Sequence, residues 1–303
     1  MSSTAEPSRR HFIEIYVVSL VLLGTILFLF FFNNLDKLLY EPLMTPEKWC
    51  ASQPCVEVQF LSYIFIIVQP TSTVLVYGLG FLTVGVGLFF LKQNKGQISI
   101  QWWGISMLFW GLGALFAGTS YQIFSYELKC SGREYCLWTS WWEISYLLLT
   151  VGALNAIMMA QSYSCASGRF RRLLQFYSLI NSGIYLIIVV IGTLIPIRFL
   201  ISFELLVLFL FPITLFFFLL NTVRYLKEKN PMDLRLLITS LSLGVIILLY
   251  YIYYLLGITE ILWEQGIWFS ENDVLHISLI IWILYIGKFV PNYVRDQGNG
   301  DIN

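Results

Sequence analysis

The chain has 303 residues, of which 58% are hydrophobic, 17% aromatic and only 12% charged. A water-soluble domain carries about 25% charged residues, so this composition excludes an ordinary soluble enzyme. The formal net charge is zero, which gives no bulk electrostatic pull toward nucleic acid.

Runs of about 20 apolar residues are read as membrane-crossing helices. After a polar start, MSSTAEPSRR, the first such run covers residues 12–32. It is too long for a signal peptide, and no small-residue cleavage site follows Phe32, so it is expected to be a retained helix. Residues 34–70 form an outer loop that contains Cys50 and Cys55. Within it, VEVQFLSYIFIIV (56–68) is too short to demand a crossing. It ends at Gln69-Pro70, which leaves an interfacial helix or an extension of the second span as its readings. Further spans are expected at 71–91, 99–124, 138–160, 173–195, 199–221, 236–257 and 272–290. The expected fold is an all-α polytopic membrane protein with eight transmembrane helices. Residues 1–33 hold an N-terminal transmembrane helix, 34–70 an outer loop with a short interfacial segment, 71–292 a seven-helix core and 293–303 an inner tail. No repeat of 20–50 residues is visible.

Lysine and arginine placement orients the chain. Of the 18 basic residues, five (Lys37, Lys48, Lys129, Arg133 and Arg198) fall in loops on one side, and the rest fall on the other. Both termini are therefore expected to be cytoplasmic. The Cys-bearing loops then face a periplasmic, lumenal or extracellular space. Cys50 and Cys55 lie in the first outer loop, Cys130 and Cys136 in the second, and Cys165 on the inner side. Four cysteines in an oxidising compartment are disulfide candidates, although spacing leaves their pairing open. Free or metal-bound thiols are the alternative, but C-x4-C and C-x5-C do not match common zinc fingers.

Small residues recur at helical spacing in the third span, at Gly111, Ala114 and Gly118 and again at Gly113 and Ala117. The second span carries Gly78, Gly80, Gly85 and Gly87. In lipid such rows let helices approach closely, so they are read as packing faces. Trp49, Trp138, Trp141, Trp142, Trp263 and Trp268 fall near the outer boundary, as an interfacial aromatic belt does.

Ionisable groups at membrane depth usually mark function. Thr119, Ser120, Tyr121 and Gln122 end the third span on the outer side. Glu143 opens the fourth from that side, and Asn272, Asp273 and His276 open the last. Three helices thus offer polar groups at similar depth, which predicts a pocket near the outer leaflet. Glu143, Asp273 and His276 are its candidate catalytic residues. Thr119, Tyr121, Gln122 and Asn272 are its candidate lining. Zinc suits these residue types, with His276 and Glu143 as ligands and a metal-bound water activated beside a carboxylate. A bland reading competes. Ser140…Glu143 and Ser270…Asp273 both have the form of a capping box, which would explain both acids without chemistry. It explains His276 less well.

Four stretches carry a resemblance: CVEVQFLSYIFIIVQPTSTVLVYG (Cys55 to Gly78), GLGALFAGTSYQ, WWEISYLL and ENDVLHISLIIW. Together they resemble the alkaline ceramidases and related seven-helix membrane hydrolases, grouped with the progestin- and adiponectin-type receptors. The resemblance implies a seven-helix core preceded by one extra helix, a zinc cofactor, and a lipid amide or ester as substrate. The pattern is degenerate. Ala117 or Gly118 stands where that family has its first histidine, Glu143 where it has an aspartate, and Asn272 where it has the first histidine of its final pair; His276 keeps the second.

Two functions are therefore expected. One is a divergent lipid hydrolase. The other is a non-catalytic relative that binds a lipid or ligand, or serves as a subunit of a membrane assembly or oligomer. A retinal protein would need a buried lysine, and Lys288 in the last span sits at its inner end, where snorkelling explains it. Membrane lipid is the expected partner.

Overall fold

The computed structural model describes residues 35–297; the first expected span, 12–32, lies outside the described residues. The chain enters through one 3-10 turn, Leu35–Lys37, and a short helix α1, Pro46–Ala51. Thr45 caps α1 by accepting a hydrogen bond from the Lys48 amide, and Pro46 occupies the first turn, where its missing N–H costs nothing.

An antiparallel hairpin follows, β1 (Cys55–Phe60) paired with β2 (Tyr63–Val68). Residues 56–68 are therefore neither an interfacial helix nor an extension of the next span. The physical reason is visible in Val56-Glu57-Val58-Gln59, which alternates apolar and polar residues with the period of a strand. Leu61 takes φ 56°, the left-handed backbone a two-residue hairpin turn requires. Gln69, at φ 46°, then turns the chain from strand to helix directly ahead of Pro70.

Seven helices among the described residues are long and apolar enough to cross a membrane. They are α2 (Pro70–Gln93), α3 (Ile98–Ala117, continued by a π-helical turn, Gly118–Ile123), α5 (Trp141–Ser164), α6 (Gly168–Leu194), α7 (Phe203–Glu228), α8 (Pro231–Leu255) and α10 (Glu271–Tyr293). Two short helices, α4 (Ser125–Lys129) and α9 (Ile258–Glu264), lie between spans. Each long helix falls on one of the expected core spans. Such a chain is an all-α polytopic membrane protein.

Helices α3 and α5 form the centre of the bundle and are its most buried spans. α2 packs on α3, α10 on both α2 and α8, α7 on α8 and α5, and α6 on α5. Glycine makes the α2–α3 contact close. A Cβ added at Gly111 would lie 2.7 Å from the Val84 amide nitrogen, and one at Gly87 2.9 Å from the Gly104 carbonyl oxygen. Packing of this kind replaces the hydrophobic drive that lipid does not supply between helices. The outward faces stay apolar, for example Val74, Phe81 and Leu88 spaced seven residues apart on α2.

The two ends of the bundle differ. At one end, Arg224 donates to Asp233 at 2.9 Å and to the Cys165 carbonyl at 3.1 Å, joining α7, α8 and the end of α5. There Asp296 caps α3 from the chain's last described residues, accepting from the amides of Ile98 and Ser99 at 2.7 and 2.9 Å. At the other end, residues 35–69 and 124–140 build a cap. Two disulfides staple it, Cys50–Cys55 and Cys130–Cys136. An isolated bridge pairs Leu39 with Leu137, and Trp49, Val68, Cys130 and Cys136 form a small core of its own.

Candidate functional site

The polar groups at the cap end fall into two clusters. The first forms where α5 begins. Ser140 is its N-cap by backbone geometry but makes no side-chain cap bond, so the expected capping box with Glu143 does not form. A stronger set of partners claims Glu143 instead. Ser120 Oγ, from the π-helical turn, donates to Glu143 Oε1 at 2.8 Å and meets Ser140 Oγ at 2.6 Å. Lys129 makes an ion pair with the same Glu143 oxygen.

Lys129 is the last residue of α4 and only 1% exposed. Its ammonium lies over three rings, 5.0 Å from the centroid of Tyr121, 5.8 Å from Trp49 and 5.9 Å from Tyr40. An ammonium within about 6 Å of a ring face is attracted by the ring quadrupole. Burial pushes the lysine toward neutrality, but the Glu143 carboxylate and Tyr40 outweigh it and hold its pKa above the ordinary lysine value. The charge is thus kept, paired and caged. Lys129 carried little sequence signal beyond its place next to Cys130: a charge in a Cys-bearing loop reads as solvated.

The second cluster opens α10. Here the capping box is real: Ser270 and Asp273 satisfy one another's helix-end groups, with Ser270 Oγ donating to Asp273 Oδ2 at 3.1 Å. Ser72, near the start of α2, adds a bond to Asp273 Oδ1 at 2.8 Å and meets Ser270 Oγ at 3.2 Å. Asp273 is 1% exposed and takes its donors from the cap and from α2. His276, one turn further in, is 8% exposed, and its Nδ1 has no hydrogen-bond partner.

The predicted lining residues divide between structural roles. Thr119 Oγ1 lies 2.7 Å from the Tyr77 hydroxyl and donates to the Leu115 carbonyl, tying the π-helical turn to α2. Tyr121 forms part of the lysine cage. Gln122 is buried with its Oε1 unpartnered, and Asn272 is half-buried. Among the described residues, no three of His, Cys, Asp and Glu come together as a group that could hold a metal. Glu143 and Asp273 are each engaged by a separate set of neighbours.

Two spaces stand out in the interior. One, of about 20 Å³ between Trp103, Leu154, Phe217, Leu243 and Trp282, is no larger than about one water and touches no predicted site residue. The other, between Gln69, Ser72, Trp268, Ser270 and Asp273, is closed to a water-sized molecule. Fold and site together define a multi-pass helical membrane protein with a disulfide-stapled cap and a caged ion pair beneath it. Compared with known proteins, the chain matches no family model, no curated protein and no solved structure.

Proposed function

We propose that the chain is a non-catalytic, multi-pass membrane protein of the ceramidase-like architecture, working as a subunit of a membrane assembly that presents its disulfide-stapled cap on the outer side. The Lys129–Glu143 pair carries this reading. A catalytic carboxylate needs a face open to substrate, whereas Glu143 is 4% exposed and holds a lysine and a serine on one oxygen. Asp273 is likewise spent on a helix cap and on Ser72. The excess of basic residues at the opposite end supports the outward placement of the cap. The seven long helices in chain order are the core that the resemblance implies.

The test joins two measurements. Cross-linking in native membranes is expected to yield a species larger than the 35.1 kDa chain. The purified protein, supplied with zinc in vesicles containing labelled lipid amides and esters, is expected to turn over neither. Turnover that disappears on His276→Ala would overturn the proposal.

One observation favours a second reading, a divergent lipid hydrolase: the buried, unpartnered Nδ1 of His276 one helical turn from Asp273. A polar atom left unpaired in the interior costs about 1–3 kcal/mol, so its retention calls for a use. The same turnover assay separates the two readings.

A further inference from the structure

We infer that the β1–β2 hairpin is a membrane-interface anchor whose tip, Leu61 to Ile64, seats among the lipids at the boundary of the bilayer. This goes beyond the subunit reading and does not depend on it.

The first observation is the tip itself. Leu61, Tyr63 and Ile64 are 81, 74 and 61% exposed, although each is a large apolar or aromatic side chain. No Lys, Arg, Asp or Glu occurs between Glu57 and Lys92, so the tip and the span that follows form one uncharged run. The hairpin's one charged residue, Glu57, is exposed on β1 opposite Ile66, nearer the base than the tip, while the exposed Gln59 and Ser62 are uncharged. The hairpin therefore carries its charge toward the base and ends in an uncharged tip that is apolar or aromatic except at Ser62.

The second observation is its depth. β2 joins α2 through Gln69 alone, so the base of the hairpin lies at the boundary of a membrane span. β2 also packs beside the π-helical turn that completes the α3 span, and beside α4. Phe65 meets Phe124 there with ring centroids 5.8 Å apart, and the Ile66 amide donates to Glu127 at 3.3 Å. These contacts fix the strands against the ends of two spans, while the tip reaches past them uncovered. Six residues per strand span about 20 Å, enough to carry the tip to the rim of the bundle.

Lipid is the occupant that the neighbouring surface supports. The outward stripe of α2, Val74, Phe81 and Leu88, is 72, 64 and 56% exposed and continues the same uncharged run into the bilayer. Tyrosine beside aliphatic residues is also the mixture that settles at headgroup level. A protein partner at the tip is the competing occupant, and the experiment distinguishes it.

The full-length chain would carry Cys165→Ser, with both disulfides intact, and Leu61→Cys labelled with an environment-sensitive dye. It would be reconstituted in phosphatidylcholine vesicles with nitroxide lipids quenching about 5–10 Å into the interface. Lys37→Cys, an exposed cap position, serves as reference. Quenching by the nitroxide lipid is expected to be at least about twofold greater at 61 than at 37, with iodide in the water showing the reverse order. A second label at Ile64→Cys is expected to behave as 61 does, which guards against one variant misfolding. Equal lipid quenching at 61 and 37 would overturn the anchor. So would a dye at 61 shielded from both quenchers, which would assign the tip to a protein partner.

Discussion

At Lys129 an ammonium that would be solvated in any ordinary loop is held under three rings and against one carboxylate. Removing one member of a buried pair strands the other charge and costs about 3–5 kcal/mol, whereas replacing both by apolar groups is often neutral. Lys129→Met is therefore expected to lower the thermal midpoint of the purified protein sharply. Lys129→Met with Glu143→Leu is expected to recover most of that loss, and no recovery would remove the pair from its structural role. The pH dependence has a definite sign. The folded-state pKa of Lys129 lies above its ordinary value of 10.5, so the stabilisation is complete below that value and is lost as pH rises through the raised one. Above pH 10.5 the wild type should lose stability that the double variant does not, as read by thermal unfolding at each pH.

At the scale of elements, the small-residue rows of α2 and α3 make a selective prediction. A Cβ at Gly111 would meet the backbone of α2 at 2.7–2.8 Å, while one at Gly78 meets nothing within 4 Å. Gly111→Ala is expected to destabilise by about 1–3 kcal/mol through overpacking. Gly78→Ala should be neutral or slightly stabilising, since alanine is the better helix former by about 1 kcal/mol; equal effects in a denaturant titration would count against glycine-mediated packing. The sequence pattern showed which residues formed the rows, but not which glycines faced a neighbour. The seven core spans were legible because about 20 apolar residues in a row have few other uses. The hairpin was not, because YIFIIV lacks alternation and masks the clear period of two in Val56-Glu57-Val58-Gln59. The two capping-box signatures looked alike. Only Ser270…Asp273 forms one, because Lys129 and Ser120, distant in sequence from Glu143 or on another helix, outcompete the local cap at Ser140.

For the whole molecule, the cap and the bundle rest on different physics. The long helices satisfy their own backbone groups and need no help from the cap to remain helical in lipid. The cap has little core of its own and depends on two short covalent loops, on the Leu39–Leu137 bridge and on the lysine beneath it. A disulfide closing so short a loop contributes about 2 kcal/mol by restricting the unfolded chain. That is large for a segment with so small a core of its own and small for the bundle. A variant with Cys50, Cys55, Cys130 and Cys136 all replaced by Ala should keep its far-UV helical signal in detergent, yet be cut by protease within residues 35–69 and 124–140 far faster than the wild type. The same variant should free Lys129 from its cage, since Cys130 is its neighbour in sequence and Trp49 lies next to Cys50. It should then lose the alkaline sensitivity that the wild type owes to the buried pair. Retention of both protease resistance and that pH profile would mean that packing alone holds the cap, and that the disulfides only record the compartment in which it folded.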